Sequence, residues 1–69
     1  MFEENERKFI CKKDLPYLKK GSVYYTNYET GQIWRVYEDG KIAEHELRQG
    51  LSGYIWLLIA TGDKYFTEV

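Results

Sequence analysis

Glu44-His45-Glu46 is the one place where acid–base chemistry suggests itself in this sequence, which holds a single histidine. An imidazole oriented by a carboxylate is what a general base requires. Adjacency along the chain does not supply that orientation, because neighbours on a helix point in different directions. Asp14, Glu38, Asp39 and Asp63 fall in predicted turns, where acids accept hydrogen bonds from nearby backbone amides. Cys11 is the only cysteine. It permits no intrachain disulfide, implies a reducing compartment, and among apolar neighbours reads as a small buried hydrophobe. One Cys and one His fall short of the ligand set of a structural zinc site. No glycine-rich nucleotide loop, Cys-x-x-Cys or His-Glu-x-x-His motif is present. Neither a catalytic group, a metal nor a cofactor is expected.

Binding chemistry is better represented. Arg7 to Lys20 holds six basic residues and one acid, whereas Ser22 to Val69 holds four basic and seven acidic residues. Lys8, Lys12, Lys13, Lys19 and Lys20 can meet phosphates while Tyr24, Tyr25, Tyr28, Trp34 or Tyr37 stack on bases, the combination by which small barrels hold single-stranded nucleic acid. The net charge of −1 argues against a general polyanion binder. Aromatic residues make up 17% of the chain, with seven Tyr, three Phe and two Trp, and such rings are enriched where proteins grip one another. A chain this short cannot enclose them all. Protein binding is therefore the leading expectation, with Trp34, Tyr24 and Tyr28 as anchors and Lys19 and Lys20 on the rim; nucleic-acid binding is the alternative.

Positioning those groups falls to short elements of period two. Lys8 to Lys12 reads as a strand with Phe9 and Cys11 inward. Pro16 and Gly21 break the pattern, and Leu15 and Leu18 predict that this loop folds back as a lid. Ser22 to Tyr28, rich in β-branched and aromatic residues, is a strand. Glu29 to Gly31 is a tight turn into a partner strand, Gln32 to Glu38, which places Ile33, Arg35 and Tyr37 on one face and Trp34 and Val36 on the other. Asp39-Gly40 marks a second turn. Lys41 to Gly50 carries helix formers and ends on a glycine suited to a C-cap, predicting a helix of two turns. The unbroken apolar run Tyr54 to Ala60, set between Gly53 and Gly62, predicts a strand by its length, with a helix from Leu51 to Ala60 as the alternative that would change the fold, and Lys64 to Val69 is a last strand. Five strands with one short helix before the fourth predict a mainly β domain: a small SH3-like barrel, or an OB-like one. The apolar face left on that fourth strand, with Tyr54, Trp56 and Leu58, is the expected site of self-association into a homodimer.

At 69 residues the chain is one small domain, residues 1–69, with residues 1–6 expected to be a flexible acidic N-terminus. That N-terminus lacks the apolar core of a signal peptide, and the apolar run is far short of the roughly 20 residues that span a bilayer; a cytoplasmic protein without membrane contact is expected. The stretch KFICKKDLPYLKKGSVYYTN, Lys8 to Asn27, resembles the openings of small β modules encoded by bacteriophages and prophages. The shared positions (Asp14, Leu15, Pro16, Leu18, Lys20, Gly21) form turns and packing contacts, so no functional residue is carried over. What the resemblance implies is a setting: an accessory protein or inhibitor that binds a bacterial host protein, such as a defence protein, in the host cytoplasm.

Overall fold

A computed structural model describes residues 6–69. The fold is a four-stranded antiparallel sheet with one helix: β1 Glu6–Cys11, β2 Val23–Asn27, β3 Ile33–Val36, α1 Gln49–Ala60 and β4 Phe66–Glu68. In space the strands run β3-β2-β1-β4. The mainly β character, the first three strands and the last one agree with the sequence. Glu6 opens β1, and the other five residues of the acidic N-terminus expected to be flexible lie outside the described residues. None of the described helices is long and apolar enough to cross a membrane.

Two expectations fail, for one reason. The run Tyr54 to Ala60 is helical rather than extended, and with it the fifth strand and the closed barrel are lost. Ser52 and Ile55 are buried, while Leu51, Tyr54, Leu58 and Ile59 pack at the margin of the core. These positions recur at helical spacing. Coiling lets the segment satisfy its backbone bonds internally and needs cover on one side only; as a central strand it would need partners on both edges and cover on both faces. Gly50, read as a helix C-cap, and Gly53, read as a strand boundary, both lie inside the first turns of α1.

The predicted helix Lys41 to Gly50 is displaced accordingly. Residues 41–47 run beside β3 instead: Tyr37 N–H donates to Lys41 O at 2.8 Å, Ala43 N–H to Arg35 O at 2.8 Å and Leu47 N–H to Ile33 O at 2.7 Å. The outer edge of β3 needs those donors, and it wins over helix propensity. Because β3 and β4 are the two edges, the connection between them crosses the whole sheet, and α1 is that crossing. Its Ile55 meets Phe9, Cys11, Leu18, Tyr24, Ile33 and Phe66 in one cluster. Trp56 pins the helix in place: its Nε1–H donates to Gly31 O at 2.9 Å, and its ring meets Tyr28 edge-on at 5.0 Å.

The loop after β1 does fold back. Leu18 is buried and Leu15 packs against the core. Their backbones exchange two hydrogen bonds, 2.9 and 3.0 Å, around a tight turn of Pro16 and Tyr17. Tyr17 stands there at φ 66° and is 90% exposed. In a type II turn that place is normally taken by Gly or Asn, because a side chain at positive φ is strained.

Two substitutions test this account. Gly53 is exposed, helical and has open space where a Cβ would stand, so Gly53→Ala should stabilise the domain by about 0.5–1 kcal/mol; an unchanged or lowered melting temperature would deny the helix. Tyr17→Gly should stabilise by about 1 kcal/mol by relieving the turn, readable as a higher denaturation midpoint at unchanged m-value.

Candidate partner-binding surface

Alternation divides the sheet cleanly. Arg7, Phe9, Cys11, Tyr24, Thr26, Ile33, Arg35, Phe66 and Glu68 point to the side that α1 covers, and all the buried strand residues belong to this set. The single buried hydroxyl on this side, Thr26, donates from Oγ1 to Arg7 O at 2.9 Å.

The opposite side carries two cross-strand rows. One runs Ile42, Val36, Val23, Ile10, Thr67, and the second Trp34, Tyr25, Lys8. Val69 extends the second row, its N–H donating to Lys8 O at 3.0 Å. None of these side chains is buried and none belongs to the core cluster. Among the described residues, no helix or loop packs over this face. Trp34 and Tyr25 meet edge-to-face at 5.8 Å and 62°, an arrangement that holds both rings upright on the sheet. Beside Val23 and Val36, in the middle of the longer row, lies an open recess of about 1020 Å³, lined also by Lys8, Lys19, Lys20, Glu38 and Asp39.

The structure thus sorts the expected anchors. Trp34 lies on the open face, and Lys19 and Lys20 are exposed at its rim. Tyr24 does not join them: it is 6% exposed, on the helix side, with its ring edge-on to Phe66 at 6.1 Å. Tyr28 is 52% exposed, yet it also belongs to the helix side, where it stacks on Phe9 at 6.5 Å and supports Trp56. The residues expected to self-associate, Tyr54, Trp56 and Leu58, are partly buried against the core; the outward apolar residue of α1 is Leu57, 70% exposed. Ile10, Val23, Tyr25, Val36 and Ile42 complete the open face. Alternation within Val23–Tyr25 and Trp34–Val36 was a usable signal for them, but only the register joins the strands into rows.

The groups that suggested chemistry are scattered or engaged. Glu44, His45 and Glu46 are exposed on the segment beside β3. Cys11 is buried, its Sγ–H donating to Lys13 O at 2.9 Å. Asp14 accepts from Lys20 N–H and Asp39 from Lys41 N–H, as turn acids do. Among the described residues no cluster of three His, Cys, Asp or Glu could hold a metal.

Tyr24 gives this assignment a measurable signature. Burial pushes its phenol above the usual tyrosine range; the Ser22 hydrogen bond and nearby Arg35 oppose that, and Cys11 adds to it. The folded state therefore holds this proton more tightly than the unfolded chain. The stability involved is fully present below the unfolded pKa of about 10 and is lost as pH rises through the folded value. Denaturation followed between pH 9 and 12 should show stability falling in the upper part of that range, and falling less in Tyr24→Phe. Identical profiles would mean that Tyr24 is solvated. Comparison with family models, curated proteins and solved structures finds no match for this chain.

Proposed function

We propose that this domain is a non-enzymatic protein-binding module that grips its partner with the open face of the sheet. The observation that carries the reading is the pair of cross-strand rows, Ile42 to Thr67 and Trp34 to Val69, on a face that no described element covers. Contiguous apolar surface rimmed by charge is where partners dock. Trp34 is the central anchor and Tyr25 its support. Lys19 and Lys20 act from the rim, steering encounter more than holding the complex. Together with the resemblance of Lys8 to Asn27 to phage and prophage modules, this favours an accessory protein that blocks a bacterial host protein by occupying one of its surfaces.

The nucleic-acid alternative draws on Lys8 standing in register with Tyr25 and Trp34. The longer row weighs against it. Ile10, Val23, Val36 and Ile42 are aliphatic, and bases stack on rings.

Trp34→Ala should leave the far-ultraviolet circular dichroism and cooperative unfolding intact while weakening partner capture by about 2 kcal/mol or more. The measurement is quantitative pull-down from bacterial lysate, wild type beside variant, with each recovered protein scored by its loss. Partners recovered equally by both would sink the reading.

A further inference from the structure

We propose that the recess between the Leu15–Leu18 loop and the start of α1 is a site for a small molecule that joins a flat aromatic ring to a carboxylate. The site is separate from the open sheet face, and its case stands without the function proposed for that face.

The recess has a volume of about 750 Å³ and is lined by Pro16, Tyr17, Arg48, Gly50, Leu51 and Tyr54. Small-ligand sites fall in the range of about 300–1,000 Å³ and set a few polar groups among apolar and aromatic walls. Here the walls are two tyrosine rings, a proline and a leucine, and the charged group is one guanidinium. Among the described residues neither the Tyr17 nor the Tyr54 ring pairs with another ring. Gly50 and Tyr54 lie one turn apart on the same face of α1. A Cβ at Gly50 would meet nothing within 4 Å, so the glycine leaves room beside the Tyr54 ring.

Two features of this recess are left unexplained by the packing of the domain itself. The first is Tyr17, held at φ 66° while 90% exposed. The fold gains almost no burial from that ring in return for a strained backbone, and strain of this kind collects where a side chain contacts a ligand. The second is Arg48. Its guanidinium has no ion pair or hydrogen bond among the described residues. It also stands at the N-terminal end of α1, where a cation is unfavourable, and neither an acid in the first turn nor a side-chain cap offsets it. Glu44 and Glu46 are close in sequence, yet neither lines the recess. Uncompensated positive charge among apolar walls selects an anion with an apolar body. A carboxylate matches the guanidinium fork, whose two N–H groups donate to its two oxygens. A single lining cation suits one negative charge better than the two of a phosphate.

The test is an amide NMR titration of the intact domain with indole-3-acetate, with its uncharged amide indole-3-acetamide, and with acetate. Indole-3-acetate should move the Gly50 and Leu51 amides saturably, with the roughly millimolar affinity of a ligand this small. The amide, which keeps the ring, and acetate, which keeps the charge, should each bind about ten-fold more weakly. Arg48→Gln should remove the preference for acid over amide. Tyr17→Gly should weaken binding about five-fold while raising the denaturation midpoint, a separation that a purely structural Tyr17 would not give. Trp34→Ala should leave the titration unchanged, because that ring lies on the other side of the sheet. Equal affinity for acid and amide would overturn the proposal. So would an unaltered preference in Arg48→Gln, binding that Tyr17→Gly leaves intact, or shifts confined to the outer face. The absence of saturable shifts up to about 10 mM, roughly ten times the expected dissociation constant, would do the same. A last arm uses the peptide Gly-Gly-Trp with its free carboxylate. Binding more than about ten-fold tighter than indole-3-acetate would overturn the small-molecule assignment and give the recess to the C-terminus of a polypeptide.

Discussion

A sheet has two faces, and the described residues supply one helix to cover them. Ile55 sits at the centre of the covered side among Phe9, Tyr24, Ile33 and Phe66, and every strand's inward set is chosen to meet it. Slipping a strand by one residue would exchange the two faces, so burying Phe9, Tyr24 and Ile33 under α1 fixes Ile10, Tyr25 and Trp34 outside. The open face is thus a consequence of how the core is made.

The same economy explains the edges. A sheet of four strands leaves two rows of unpaired backbone groups, which invite association unless covered. On the β3 side, residues 41–47 supply the bonds through Ala43 and Leu47. On the other side β4 is only three residues long, and Arg7 from β1 reaches Glu68 at 3.2 Å across the same pair of strands. That ion pair is exposed and contributes little stability, but it places charge at the short edge. With both edges blunted in this way, the broad outer face is left as the surface we propose for partner binding.

Trp34 and Trp56 show how one residue type takes two roles. Trp56 lies on α1, donates to Gly31 O and leans on Tyr28; its indole is part of what holds the helix over the β2–β3 turn. Trp34 lies on the outer face beside Tyr25, with its indole in no bond of that kind. Counting aromatic residues predicts a surplus over the core but not which rings are surplus. Tyr24 and Tyr25 make the same point within one strand: adjacent, identical in type, and opposite in fate.

Much of the fold was legible in the chain itself. Period-two alternation gave Phe9 and Cys11 as inward and separated Ile33 from Trp34 and Val36; Glu29 to Gly31 and Asp39-Gly40 marked the turns, because glycine at positive φ is a local requirement. Leu15 and Leu18 signalled that their loop folds back. These features depend on a few neighbouring residues. The state of Tyr54 to Ala60, and with it the choice between barrel and open sheet, did not: an apolar run of seven can coil or extend, and which it does depends on whether one covered face or two is on offer. Nor could sequence alone show that Tyr24 is enclosed, Tyr28 engaged with Trp56, and the valines of two strands aligned with Ile10 and Ile42, since register and cover are settled only when distant segments compete for the same core.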